Sequence, residues 1–160
     1  MPKIDVVKVP ALPTDFSGAL GELLGGRTRA KLGDAAGLTQ FGVNLCRVEP
    51  GARSSLNHWH ENEDEFVFVL AGDVVLVEGG IETPLGPGDA AGFKAGTGVG
   101  HHIENRGAEE AVMLEVGTRA IGDRCHYPGH DLIVEIVNGT DRLLHRDGKP
   151  YSDATAKPVD

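Results

Sequence analysis

Residues 51–72 read GARSSLNHWHENEDEFVFVLAG, and two features of this stretch decide how the chain is read. His58 and His60 are two positions apart, so on an extended segment both imidazoles point to the same face. That is metal-ligand spacing, needing no help from distant sequence. Trp59 lies between them and must point the other way, which suits packing on a second sheet or an interface better than contact with a bound ion. Four polar residues, Glu61 to Asp64, then form a bend. Glu65 opens the apolar run Phe66 to Leu70, which draws its carboxylate inward.

Outward from this stretch, turns divide the 160 residues into short pieces. Twenty-three glycines and nine prolines punctuate segments rich in Val, Ile and Leu, a composition that favours strands over long helices. Strands are expected at 38–48, 55–60, 65–70, 74–78, 90–93, 101–105, 111–116, 132–137 and 142–145. On the first of these, Phe41, Val43 and Leu45 share one face and are expected to be buried, with Asn44 opposite. Asn138-Gly139 is a hairpin signal. The only helix expected is a short one within 14–24, weakened by its glycines. Short strands at such close intervals argue for an all-β sandwich or barrel. One domain spanning 1–160 is expected, with a core barrel at about 38–146 and a peripheral tail at 147–160.

The formal charge of −9 disfavours nucleic acid and anionic membrane surfaces as partners. No basic segment followed by an apolar stretch opens the sequence and no apolar run is long enough to span a bilayer, so a cytoplasmic protein is expected. The two cysteines, Cys46 and Cys125, lack CxxC spacing and read as reduced thiols rather than a disulfide or a thiolate zinc site.

A second constellation follows the first: Gly88, five residues, Lys94-Ala95-Gly96, four residues, His101, three residues, Asn105. With Gly51, His58, His60, Glu65 and Gly72 it resembles the paired motifs of the cupin superfamily. That resemblance implies a double-stranded β-helix, or jelly-roll barrel, holding one metal through His58, His60, Glu65 and His101. The stretches 38–44, 63–67 and 123–132, the last with Tyr127-Pro128, look like those of small bacterial single-domain cupins. The sequence departs from the pattern at one extra residue before His58, at Lys94 where proline is usual, and at two extra residues before His101; the extra residues fall in turns. His102 competes with His101 for the ligand role, and alternation with the apolar Ile103 favours His101.

Three neutral imidazoles and a carboxylate suit one divalent transition metal, Mn, Fe, Ni, Co or Zn, and leave coordination positions open. The expected function is that of a metal-dependent enzyme on a small oxygen-bearing metabolite, such as a sugar, hydroxy acid or carboxylate; dioxygenase, isomerase and lyase chemistry all remain open. The alternative is a non-catalytic binding or sensor protein for a sugar or carboxylate. Arg53 and Lys94, by charge, and His102 and Tyr127, as proton-transfer groups, are the candidates for substrate contact. A small-molecule ligand is the expected partner. A homodimer is also expected, because Trp59, Phe66 and Phe68 face away from the metal and terminal strands would leave open edges.

Overall fold

A computed structural model describes residues 3–13, 18–137 and 140–151. The chain runs through a 3-10 turn at Val6–Lys8, then β1 (Ala11–Leu12), α1 (Gly18–Leu23), β2 (Arg27–Lys31), α2 (Leu32–Ala35), β3 (Phe41–Val48), β4 (Trp59–His60), β5 (Glu65–Ala71) and β6 (Val74–Glu78). It continues through β7 (Ile81–Leu85), β8 (Ala90–Phe93), β9 (His101–Glu104), β10 (Ala111–Thr118), β11 (Arg124–His126), β12 (Ile133–Val137) and β13 (Thr140–Leu144). Every strand pairing is antiparallel, in three sheets ordered β1-β2-β3-β10-β5-β8, β13-β12-β11-β4 and β7-β6-β9. The fold is all-β, as the turn-rich sequence predicts. No helix among the described residues is long and apolar enough to cross a membrane.

The main core joins the six-stranded sheet to the three-stranded one. Cys46, Val48, Val67, Val69 and Met113 meet Val74, Leu76 and Ile103 there, all buried. A smaller cluster of Leu24, Leu56, Cys125, Leu132 and Val134 lies under the four-stranded sheet, with Tyr127, Leu143 and Tyr151 packed on it. Tyr151 also donates its hydroxyl hydrogen to the Asp131 carbonyl. Pro150 bridges to Leu144. Residues 147–150 are exposed, and Tyr151 ties the segment to the smaller cluster.

Several expectations need correction. On β3 the buried residues are Cys46 and Val48, whereas Phe41 is exposed and Val43 and Leu45 only half-buried. The face predicted to be buried is the outer one; the inner face includes Asn44 because part of it lines a cavity rather than the dry core. Polarity likewise hid β2, whose Arg-Thr-Arg-Ala-Lys sequence carries too little apolar alternation to read as a strand. Strands β1, β7 and β11 were also not anticipated, being two to five residues long or, for β7, mostly exposed. The strand expected at 55–60 shrinks to Trp59–His60. The Asn138-Gly139 turn lies outside the described residues, but Val137 and Thr140 pair on either side of it, so β12 and β13 form a hairpin.

Two turns are tied together by Asn105, which is only 1 % exposed. Its side-chain amide donates to the carbonyls of Val48 and Glu109, both at 2.8 Å, and its Oδ1 accepts from the Gly107 amide at 2.9 Å. Its backbone pairs with Ala52 and Gly51. Truncation would leave buried polar groups without partners, the costly way to lose a hydrogen bond. Asn105→Ala is expected to lower the unfolding free energy by about 3 kcal/mol, read as a lower urea midpoint with an unchanged denaturant slope.

Candidate metal centre

Three sheets contribute to one point. Glu65 opens β5 in the six-stranded sheet, His60 ends β4 in the four-stranded sheet, and His101 begins β9 in the three-stranded sheet. His58 joins them through an isolated antiparallel bridge to His101, with paired backbone hydrogen bonds of 3.1 and 2.9 Å. The bend between His60 and Glu65 is held by polar contacts. The Asn62 amide donates to Asp123 Oδ1 at 2.8 Å, Asp64 N to Thr118 Oγ1 at 2.9 Å, and Ala95 N to Asp64 Oδ1 at 2.8 Å. This bend turns Glu65 back toward the imidazoles.

The Nε2 atoms of His101, His58 and His60 lie 3.1, 3.4 and 3.7 Å from Glu65 Oε2. Donors about 2.1 Å from one ion lie roughly 3–3.5 Å from each other, so the spacing fits a shared divalent cation. Donor atoms of His58, Glu65 and His101 fall within 4.8 Å of one another, and the same is true of His58, His60 and Cys125 and of His60, Glu63 and Asp123. The far sides of the rings are also held. His58 Nδ1 lies 2.9 Å from the Leu56 carbonyl and 3.1 Å from Ser55 Oγ, while His60 Nδ1 lies 2.6 Å from Asp123 Oδ2. An Nδ1–H given to an acceptor aims Nε2 at the cluster, and it is the Nε2 lone pair of the neutral ring that a metal requires once the proton is displaced. Phe93 stacks on His101 at 3.5 Å with the rings 5° from parallel. The residues present therefore fit the group that the sequence pattern implies.

The electrostatics show how tightly these groups are coupled. Burial alone would raise the Glu65 carboxyl, yet hydrogen bonds from His101 and His58 hold it well below the usual carboxylate range. Burial works against the proton on His60, but the Asp123 hydrogen bond, with Cys125 and Glu65 nearby, outweighs it and raises that imidazole to about 11. His101 is lowered by burial despite Glu65. Asp123 is fully buried, which would raise it; its hydrogen bonds with His60 and the Asn62 amide lower it instead.

The cluster opens into a cavity of about 580 Å³. Of the residues expected to contact substrate, only Tyr127 lines it; its ring stacks on His58 at 5.9 Å and burial raises its hydroxyl well above the usual value. Arg53 lies 4.0 Å from Glu104, outside the lining. His102 bonds Glu104 at 3.0 Å and alternates outward from His101, away from the cavity. Lys94 borders not this cavity but a water-sized pocket of about 30 Å³ that His60, Glu65 and His101 also line. Trp59 stacks on His126 at 4.3 Å, on the side away from the cluster. In place of the expected basic residues the cavity has Arg27, Arg29, Lys31 and Arg119, and it also has Glu63. Their period-two spacing on β2 was the available signal for the first three. Asp123 gave none, being 63 positions from the histidine it orients.

The family described as Cupin domain matches residues 44–117, the span holding all four clustered donors. A crystal structure from Silicibacter pomeroyi, described as a sugar phosphate isomerase from a cupin superfamily, is 40% identical and superposes with a TM-score of 0.89, covering 98% of this chain and 100% of that one. A candidate sugar phosphate isomerase from Acidithiobacillus ferrooxidans is 34% identical, with a TM-score of 0.70 over 79% of this chain and 81% of its own. A polyketide cyclase from Streptomyces resistomycificus, at 24% identity, shares the fold, with a TM-score of 0.62 over 74% and 79% of the two chains. No curated protein matches the sequence. The strand order, the paired histidine motifs and a relative of the same length together identify the chain as a member of the cupin superfamily.

Proposed function

We propose that this protein is a metal-dependent enzyme that isomerises a small sugar phosphate. The observation that carries this reading is the convergence of three Nε2 atoms on the Glu65 carboxylate, facing an open cavity. The whole-length relative described as a sugar phosphate isomerase supports the choice among the reactions that such a site could host. His58, His60, Glu65 and His101 would hold the ion, whose Lewis acidity makes a carbonyl and its neighbouring hydroxyl easier to interconvert.

Aldose–ketose isomerisation moves a proton between adjacent carbons and another between their oxygens, with no net oxidant or reductant. The chain must therefore supply groups that take and return protons inside the cavity. We assign this role to two. Glu63 lines the cavity with Oε1 accepting from the Ala120 amide at 2.9 Å, which fixes its direction. Tyr127 presents its ring beside His58. Asp123 holds His60 and the Asn62 amide, so it orients the site without reaching substrate. Arg29, bonded to Glu115 at 2.5 and 3.0 Å, fixes the opposite wall.

Protein purified without a histidine tag is expected to contain one divalent transition metal per chain by elemental analysis. His58→Ala/His101→Ala should remove it; full occupancy in that double variant would refute the ligand assignment. Acidification should release the metal, because protonated imidazoles cannot ligate.

Turnover is tested by incubating the metal-loaded protein with a panel of aldose and ketose phosphates in deuterated water and following the carbon-bound protons by NMR. Product carrying solvent deuterium is expected. Glu63→Gln should keep the metal and lower turnover roughly 100-fold or more, the usual scale for losing a general acid or base. Ligand that binds but is recovered unchanged would instead mark a carrier or sensor.

A further inference from the structure

The inner wall beside the clustered ligands is unusually bare. Cross-strand pairing places Gly42, Gly117, Glu65 and Phe93 in one row across β3, β10, β5 and β8. The next row is Lys31, Asn44, Glu115, Val67 and Ala91, beginning on β2. Gly42 and Gly117 both line the cavity, so the wall between Glu65 and the β2 side carries no side chain in that row. A methyl group built on Gly117 would stand 3.9 Å from Glu65 Cγ, and one on Gly42 would stand 3.7 Å from Arg119 Nε and Nη2. The two glycines thus form a floor with the Glu65 carboxylate at one end and the Arg119 guanidinium at the other. Two strand spacings, on the order of 10 Å, separate the backbone of Glu65 from that of Gly42, beside which Arg119 lies.

Basic side chains line the cavity along β2 and beside Gly42. In a chain of net charge −9, Arg27, Arg29, Lys31 and Arg119 all line the one cavity. The acidic residues of the lining are Asp34, Glu63, Glu65, Glu115 and Asp141. Arg29 is occupied by Glu115 and by the Ser54 carbonyl, and Arg27 donates to that same carbonyl at 2.7 Å. These two are braces. Arg119 and Lys31 stand nearer the rim, Arg119 with its side chain 40% exposed. Its Nη1 donates to the Leu38 carbonyl at 3.1 Å and its Nη2 to Asp34. A guanidinium has five donors in a fixed fork, so these contacts aim the group without exhausting it.

We infer that Arg119 and Lys31 form the subsite for a substrate phosphate monoester, with the carbon chain lying over Gly42 and Gly117 and the reacting end at the His58, His60, Glu65 and His101 cluster. This rests on the reading of the site given above and assigns the orientation of the substrate within it. The separation of the two ends suits a short open-chain sugar phosphate, whose phosphate and carbonyl lie at opposite ends of the carbon chain. Arg119 offers paired N–H donors to the phosphate oxygens, and Lys31 adds a point charge. Asp34 keeps the fork in place before the ligand arrives and shares it afterwards.

The test is calorimetric titration of the full-length, metal-loaded protein with ribose 5-phosphate and with ribose, alongside elemental analysis of each variant. The wild type should bind the phosphate ester at least roughly tenfold more tightly than the free sugar. Arg119→Gln/Lys31→Gln should bring the two affinities to parity with metal content unchanged. Gly42→Ala, whose new methyl makes only ordinary van der Waals contact, should retain fold and metal yet weaken the ester several-fold by narrowing the floor. Equal affinity for the two probes in the wild type, or an ester preference that survives Arg119→Gln/Lys31→Gln, overturns the subsite. Absence of metal from the wild type would count against the proposed function instead, so the two failures are distinct.

Discussion

A half-buried carboxylate held among three imidazoles is the constraint around which this molecule is arranged. An ionised side chain in such a place is costly unless opposite charge or hydrogen bonds compensate it. Here the compensation comes from rings on segments of two other sheets. The His58–His101 bridge closes the seam between those sheets, and the Asn62 and Asp64 contacts hold the bend that brings Glu65 round. Packing supplies the scaffold, and the carboxylate and the three rings lie where its seams meet.

Orientation is enforced from outside the cluster as firmly as from within. Asp123 grips His60 from β11's leading turn, and the Leu56 carbonyl grips His58. Each bond fixes a ring nitrogen on the far side and so determines what the near side can do. Phe93 adds a flat apolar surface behind His101. A ring supported on its edge and its face has little rotamer freedom left, which favours a preorganised site over one assembled by the ligand.

The clustered donors were legible in the sequence because local rules govern them. Period-two alternation aims His58 and His60 together, Ile103 tells His101 from His102, and the acidic run at Glu61 to Asp64 marks the bend. The cavity wall was not legible for the opposite reason. A strand facing a polar cavity loses the apolar alternation by which strands are recognised, so β2 was not among the expected strands and the buried face of β3 was assigned to the wrong side. Arg53 and His102 looked suitable by charge or chemistry, but proximity in sequence to a ligand does not place a residue in the same cavity, and Lys94 reaches the ligands only through the small pocket that it shares with them. His102 neighbours His101 and faces away from it. Asp123 shows the limit most clearly, since only the pairing of β11 with β4 brings it to His60.

The bare row at Gly42 and Gly117 divides the cavity into two territories built from different parts of the chain. One is anchored by seams that the whole barrel needs; the other by β2, the start of β3 and the residue that follows β10. Substitutions in the second territory leave the seams intact, so that wall can diverge among descendants of this chain while the clustered donors are inherited unchanged. The same barrel is thereby open to new cavity shapes at little risk to its donor cluster.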